Sequence, residues 1–473
     1  MKEYLKLAWR NIWRNKRRTL ITAASIFFAV LFAILMRSFQ LGSYDHMIHN
    51  AVESYSGYIQ VQDFKYEDEK TIDHSFPHSD TLLDKVRSTK NVTYAVPRLE
   101  SFALASSGTK TKGALVLGVD PGAEDRLTKS SDKLVKFKIT SEAIEKIRVE
   151  ENIPTAIIKK LESLKGKTYS SVSRLKLDLE LENENSGKII SKISKHARFE
   201  GSYLEKEEKA VLVADRLGKF LNIGIGDTIT LIGMGYHGRS AFGIYPVKGI
   251  VKFPSPDLDN QLIYMPLTVA QEFYGTGNRL TSLALNVDDK DEENINKTVN
   301  DLKEKLNTEK ISVKSWRDMN RELVQQIESD NASGLIMLGI LYLIIGFGVF
   351  GTVLMMTAER RKEFGVMIAV GMKKIKLAGI VTLEMLFIGL IGMMSGILMS
   401  IPGVLLGYYN PVRLTGDAAK SMEAYGIEPV MPFAWFGDYY FNQSIVVIVI
   451  VILASLYPIY SITKIKAVQA LKD

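Results

Sequence analysis

The chain has 473 residues, 46% of them hydrophobic and 24% charged, and carries a net charge of +7; that length exceeds one ordinary domain. It has no cysteine, which excludes disulfides, thiolate zinc sites and cysteine nucleophiles. The basic residues gather at the ends of apolar runs, a placement that anchors and orients a chain in a bilayer and argues against nucleic-acid binding.

Residues 1–18 open with "EYLKLAWRNIWRNKRR". Helical spacing puts Leu5, Ala8, Trp9, Ile12 and Trp13 on one face and Lys6, Arg10, Arg14 and Arg17 on the other. This is the pattern of a helix lying in the headgroup region. Residues 19–41 form the first predicted span, and Thr19 to Met36 is free of charge. The run is too long for the core of a signal peptide, and no small-residue cleavage site follows it. Arg37, at its outer end, would meet an anionic headgroup or snorkel to the interface.

Residues 42–331 read as a large α+β domain. Short β-like runs ("GYIQVQ", "VTYAVP", "FALASS", "GALVLGV") give way to a charged helical region near 129–198, and strand signals then return. "DEENINKTVNDLKEKLN" predicts a surface helix with Ile295, Val299, Leu302 and Leu306 inward, and "KISVKSW" a last strand. From Arg317 a continuous stalk helix is expected to run into the second span. "GMGYHG" (Gly233–Gly238) fits a nucleotide-loop pattern, but strand-like residues follow where a helix is needed, so a hairpin turn is expected. "GKT" at Gly166–Thr168 lacks the first glycine of a phosphate loop. All six histidines fall in this region without a matching carboxylate cluster, and no metal site is expected.

Residues 332–358 form a second predicted span, 377–409 a third and 441–463 a fourth. Residues 359–376 between the second and third are charged. Phe364, Met367, Ile368 and Met372 give this segment one apolar face, and Gly371 would end its helix. The third span is interrupted only by Glu384, about 10 Å into the run by helical rise. An intramembrane carboxylate is a functional candidate by default, and a buried partner such as a hydroxyl or an arginine is the structural alternative. Arg360, Arg361, Lys362, Lys373, Lys374 and Lys376 crowd the 359–376 segment, and Lys464, Lys466 and Lys472 follow the fourth span in the 464–473 tail. The 410–440 loop holds only Arg413 and Lys420. Both termini are therefore expected in the cytoplasm and the large domain outside.

"ERRKEFGVMIAVGMKKIKLAGIVTLEMLFIGLIG" resembles a stretch of the FtsX-like ABC-transporter permeases, matching at Glu359, Glu363, Gly365, Ala369, Gly371 and Glu384. "LAWRNIWRNKRRTLIT" resembles the opening of that family, and "YPIYSITKIKAVQAL" its close, with Lys466 where proline is usual. Within the family the large domain looks most like that of lipoprotein-releasing (Lol-type) permeases, and macrolide-exporter-type permeases have a comparable one. The resemblance implies a membrane α-helical fold of four transmembrane helices, with the extracytoplasmic α+β domain inserted between helices 1 and 2. It implies a multi-pass protein of the bacterial inner membrane, with the large domain periplasmic. It further implies a separate cytoplasmic ABC ATPase dimer that binds ATP and magnesium, with no cofactor on this chain, and a second permease protomer, the same or related. Glu359, Arg360, Glu363, Phe364, Gly365, Met367, Ile368, Ala369 and Gly371 would form the ATPase-coupling helix. A cavity for acyl chains would be lined by Phe32, Leu35, Met36, Phe39, Leu338, Leu341 and Tyr342. The implied activity is extraction of lipoproteins from the inner membrane towards the outer, with a periplasmic carrier. The alternatives are efflux with a periplasmic adaptor, or mechanical activation of an external partner without transport.

Overall fold

A computed structural model describes residues 2–14, 16–67, 69–150, 153–181, 186–306, 309–414, 416–424 and 429–465. Lys466, Lys472 and the "AVQAL" close lie outside the described residues, as do positions 425–428 of the 410–440 loop. The chain divides into two compact units, one holding Met1–Met47, Glu322–Gly416 and Pro429–Asp473, the other Ile48–Arg321 and Asp417–Glu428.

The first unit is helical. Among the described residues, four helices are long and apolar enough to cross a membrane. The first, Lys16–Ile48, continues as a π-helical stretch, His49–Ser56. The others are Arg321–Glu359, Lys374–Tyr409 and Tyr439–Lys464. An amphipathic helix, Lys2–Arg14, precedes them, and a short helix, Arg361–Ala369, joins the second to the third. Ile26, Val30 and Ile34 of the first helix pack with Met385 and Ile388 of the third and Val447 and Val451 of the fourth.

Two glycines let the first and third helices approach closely. A Cβ on Gly392 would fall 2.6 Å from the Ala23 carbonyl oxygen, and one on Gly396 2.8 Å from that of Phe27. The second helix is the least covered: 17% of its most apolar stretch is buried, against 56% for the third. Leu335, Ile336, Ile340, Leu343, Ile344 and Phe347 lie open along it. Such a face is stable only against lipid or another apolar protein surface.

The second unit is α+β. Its strands are β1 (Ile59–Asp63), β2 (Val92–Ser107), β3 (Lys110–Val119), β4 (Val211–Ala214), β5 (Thr228–Met234), β6 (Ser240–Val251), β7 (Leu262–Pro266), β8 (Ser282–Val287) and β9 (Ile311–Ser315). They form one sheet in the order β9-β1-β8-β2-β3-β7-β4-β6-β5. The 16-residue β2 is long enough to serve two neighbours on one side. Its first half pairs with β8, and Ala103–Ser106 pair with β5. That second pairing closes six strands into a barrel. Ala103, Ala105, Ala114, Val116, Ile229 and Leu231 fill it, following the period-two alternation of side chains.

The pseudo-motifs resolve as a hairpin turn and as a turn leading into a short strand. Gly233–Gly238 spans the end of β5 and the turn into β6, with His237 and Gly238 at φ 55° and 74°. Thr168–Tyr169 pairs with Phe137–Lys138 as a two-residue strand. Residues 129–198 contain a small lobe of four helices, Ser141–Val149, Thr155–Ser163, Val172–Asp178 and Ser186–His196. The lobe has its own core of Ile144, Ile147, Leu161, Leu175, Ile190 and Ile193. The surface helix forms at Glu292–Lys305, with Ile295, Val299 and Leu302 buried. No group of three or more metal-ligating side chains occurs among the described residues.

One expectation is corrected. The helix foreseen from Arg317 is broken. Ser315 and Asp318 form a reciprocal capping box that starts a single turn, Trp316–Met319. Asn320 then leaves helical geometry (φ −114°, ψ 48°), and the long helix starts afresh at Arg321.

Candidate functional site

The short helix Arg361–Ala369 is built by local chemistry. Glu363 lies in its first turn, where a carboxylate suits the positive end of the helix dipole. Gly371, at φ 105°, turns the chain where an L side chain would be strained, and the Met372 N–H reaches back to the Met367 carbonyl at 3.0 Å. The helix has two unlike faces. Phe364 is 1% exposed and Gly365 is buried. With Met367, Ile368 and Met372, Phe364 packs on Leu377, Ala378, Val381 and Ile462. The opposite face is open: Val366, Ala369, Arg361 and Lys362 are exposed, as is Val370 at the C-terminal cap (84%), and Ile375, in the first turn of the third helix, is 83% exposed.

A polar lock joins this helix to its neighbours. Glu384, 2% exposed on the third helix, accepts from the Arg360 guanidinium through both carboxylate oxygens. It also accepts from Asn11 Nδ2 at 2.6 Å. Asn11 belongs to the N-terminal helix, whose Ala8 and Ile12 are buried and whose Trp9 meets Phe387 of the third helix edge-on at 5.9 Å. Arg360 lies at the break between the second helix and the short one, its guanidinium 5.2 Å from the centre of the Phe364 ring. Outside this buried pair, Arg14 is ion-paired with Glu363 and Arg18 with Glu359. Partial burial would raise the Glu363 carboxyl, but the Arg14 hydrogen bond and charge, with help from Arg360, hold it below its ordinary value. A cavity of about 170 Å³ lies among these groups.

The sequence singled out Glu359, Arg360, Glu363 and Glu384. The structure brings them together with Asn11, Arg14 and Arg18, whose part in the site was not foreseen. Of the two partners envisaged for Glu384, a hydroxyl or an arginine, the arginine is present. The missing signal was the N-terminal helix: its basic face looked destined for headgroups, yet Arg14 faces the short helix.

At the other end of the unit, a cavity of about 670 Å³ opens between the first, second and fourth helices. Leu338 and Tyr342 line it, with Arg37, Trp435, Asn442 and Gln443. Tyr342 donates its hydroxyl to Gln443. Arg37 donates to Gln40 at 2.6 Å and to Asn331 at 2.7 Å, while the Tyr44 hydroxyl donates to Asp330 at 2.6 Å, so polar clasps tie the first and second helices there. Phe32, Leu35, Met36, Phe39 and Leu341 do not line this cavity. Phe32 stacks on Phe28 at 6.0 Å on the open surface, and Phe39 meets Phe433 at 5.9 Å.

Residues 335–467 match the family model described as the FtsX-like permease C-terminal domain. That stretch takes in most of the second helix, the short helix and the third and fourth helices. No curated protein matches the chain. Among solved structures, the chain is similar to the extracellular domain of the noncanonic ABC-type transporter YknZ from Gram-positive bacteria. The identity is 10% and the TM-score 0.28, over 55% of this chain and 100% of that one. It is also similar to the periplasmic region of MacB from Actinobacillus actinomycetemcomitans, at 12% identity and a TM-score of 0.29, over 59% of this chain and 95% of that one.

Proposed function

We propose that this chain is the membrane subunit of an ABC transporter in the bacterial inner membrane, and that a separate cytoplasmic ATPase grips the short helix Arg361–Ala369. In this reading the four long helices span the bilayer and both termini are cytoplasmic. The large unit stands in the periplasm, inserted between the first and second spans. The Lys and Arg residues flanking the short loops support that orientation. The substrate is a lipoprotein extracted from the membrane for transfer towards the outer membrane. Two permease protomers form the transporter, and the open face of the second helix supports an apolar neighbour there.

The observation that carries the reading is the lock on Glu384. A push on the short helix meets Arg360, and Arg360 is fixed to the third helix through Glu384. The same carboxylate holds the N-terminal helix through Asn11. The stroke therefore moves several helices as one packed body, because packed helices shift between discrete arrangements and do not stretch. The outward residues Val366, Ala369 and Val370 are free to fill a groove on the ATPase, whereas Phe364 and Gly365 anchor the helix to this chain. The 670 Å³ outer cavity has the mixed lining suited to an acylated ligand: apolar walls for chains, and Arg37, Asn442 and Gln443 for polar groups.

The test is co-purification in mild detergent with mass spectrometry of proteins and lipids. An ABC ATPase together with a lipoprotein or its carrier is expected. Recovery of an adaptor protein or a cell-wall hydrolase in place of lipoprotein refutes the substrate. Absence of any nucleotide-hydrolysing subunit, with no crosslink from a photoreactive residue at position 370, refutes the transporter reading.

A further inference from the structure

Arg98 and Glu100 stand two residues apart on β2, so both side chains leave the same face of the sheet. Both are buried, Arg98 completely. The Arg98 guanidinium is already committed. Nε donates to Glu124 Oε2 at 2.9 Å and Nη2 to Glu124 Oε1 at 2.7 Å, a bidentate pair with the helix Pro121–Thr128. Nη1 donates at 2.6 Å to the Tyr55 carbonyl, near the end of the π-helical stretch His49–Ser56. Lys133 Nζ takes the preceding carbonyl, Ser54 O, at 3.0 Å.

Glu100 is left over. Its Oε2 accepts from the Tyr66 hydroxyl at a long 3.4 Å. Its Oε1 is buried without a hydrogen-bond partner, and Arg98 Nη1 stands 4.0 Å from it. Lys70, exposed on the segment after β1, acts on the carboxyl by charge alone. The other tyrosines close by are engaged elsewhere. Tyr274 donates to the Ser101 carbonyl at 3.2 Å, Tyr264 points to Glu124 at 3.5 Å, and the Tyr55 ring lies 5.5 Å from the Arg98 guanidinium. One buried guanidinium thus serves two buried carboxylates, and Glu124 has the better geometry. A second buried charge without hydrogen bonds is costly enough that such a group takes up a proton instead. Desolvation raises the Glu100 carboxyl above its ordinary value of 4.5, and Glu124 adds to the shift. Arg98, Lys70 and the Tyr66 hydrogen bond oppose it.

We propose that Glu100 is a proton-binding site in the core of the second unit, and that its proton decides the partner of Arg98 Nη1. Protonated, Glu100 leaves Nη1 to the Tyr55 carbonyl, as in this structure. Ionised, with the proton passed to solvent, Oε1 draws Nη1 across the 4.0 Å gap and the Tyr55 carbonyl loses its donor. The folded carboxyl titrates above its unfolded value, so the folded chain holds an extra proton above pH 4.5. The protonated arrangement is therefore favoured at the acid end and is lost as pH rises through the folded value. The site lies wholly within the second unit and works whether or not an ATPase binds the chain.

The test uses the full chain in lipid nanodiscs, carrying Asp259→Asn to silence the raised Asp259 carboxyl. Infrared difference spectra between pH 5 and 9 should show a protonated-carboxyl band that disappears as pH rises and is missing in Glu100→Gln. Amide exchange over Val52–Tyr58, divided at each pH by that over Ile229–Leu231, should rise at least threefold across the same range. In Glu100→Gln, an uncharged isostere of the protonated form, that ratio should stay flat. Lys70→Met alters an exposed side chain and removes a charge that favours ionisation, so both transitions should move to higher pH. It carries the test if Glu100→Gln fails to fold, and transitions that Lys70→Met leaves unmoved then overturn the site. A band unchanged in Glu100→Gln overturns it too, as does a parental band that persists through pH 9. Exchange that still rises with pH in Glu100→Gln overturns the partner switch at Arg98.

Discussion

Arg360 and Glu384 are separated by 24 residues and a helix reversal, yet the guanidinium of one reaches both carboxylate oxygens of the other. Their side chains are 12% and 3% exposed. Breaking such a buried pair from one side leaves an uncompensated charge and costs about 3–5 kcal/mol. Arg360→Met should therefore lower the unfolding free energy of the purified chain by roughly 3 kcal/mol. Adding Glu384→Leu should recover most of it, since no charge then stays buried. Denaturant titration of the two single variants and the double one checks this, and simple additivity would show that the two residues do not act as a pair.

Glu359 and Glu363 are each engaged by an arginine from the N-terminal region. Reversing both carboxylates to lysine sets like charges against Arg14 and Arg18, and is expected to uncouple ATP hydrolysis from transport. Reversing Arg14 and Arg18 to glutamate in the same chain should restore coupling. Failure of the swap, with ATPase capture also lost, would mean that the carboxylates are read by the ATPase directly. These exposed pairs carry little stability, so melting temperatures should stay close to the parent in all three proteins.

Val370 projects from the short helix with 84% of its surface open. Val370→Asp is expected to leave stability within about 0.5 kcal/mol, as for ordinary surface substitutions. It should nonetheless reduce ATPase capture at least tenfold. Phe364→Ala is the contrast. It empties a core and should cost about 3–5 kcal/mol, with capture failing only as far as the fold does. Equal behaviour of the two variants in pull-down and melting experiments would rule out the division of the helix into an outward and an inward face.

The outer cavity gives a second contrast. Trp435 lines it, and Phe32 stands on the open surface of the first helix. Trp435→Ala should weaken crosslinking of lipoprotein to this end of the chain severalfold, and Phe32→Ala should not. Loss of crosslinking in the Phe32 variant alone would move the substrate path to the open face.

In the barrel unit, burial raises the Asp259 carboxyl to about 6, against an ordinary value of 3.8, despite its hydrogen bond from the Phe253 amide. The folded-state value lies above the unfolded one, so the folded chain holds an extra proton between about pH 4 and 6. Stability from this group is therefore greatest at the acid end and is lost as pH rises through about 6. Asp259→Asn keeps an acceptor oxygen and removes the titration. Urea unfolding at pH 4.5 and 7.5 should show the parent losing on the order of 2 kcal/mol more than the variant. Parallel pH profiles would sink the assignment.

Much of the architecture could be read along the chain because it rests on local composition. An uninterrupted apolar run has one stable form in a hydrocarbon environment, so the four long helices follow from their residues. Period-two alternation marked the strands, and the strand after "GMGYHG" disqualified it as a nucleotide loop. Ile295, Val299 and Leu302 fell on the buried face that their spacing required. The break at Asn320 was not visible, because the capping box that starts the preceding turn competes with a helix pattern otherwise continuous through Arg317.

Sequence alone determined the materials of this protein: apolar helices, a sheet-rich unit, and a charged helix between two apolar runs. Each follows from near neighbours, whose spacing sets secondary structure. Tertiary structure decided which charges meet. That Glu384 is shared by Asn11 and Arg360, and that Lys133 and Arg98 reach the carbonyls of Ser54 and Tyr55, depends on side chains from distant segments reaching within about 3 Å of their partners. A hydrogen bond of that range has no periodicity along the chain, so only folding could select those partners.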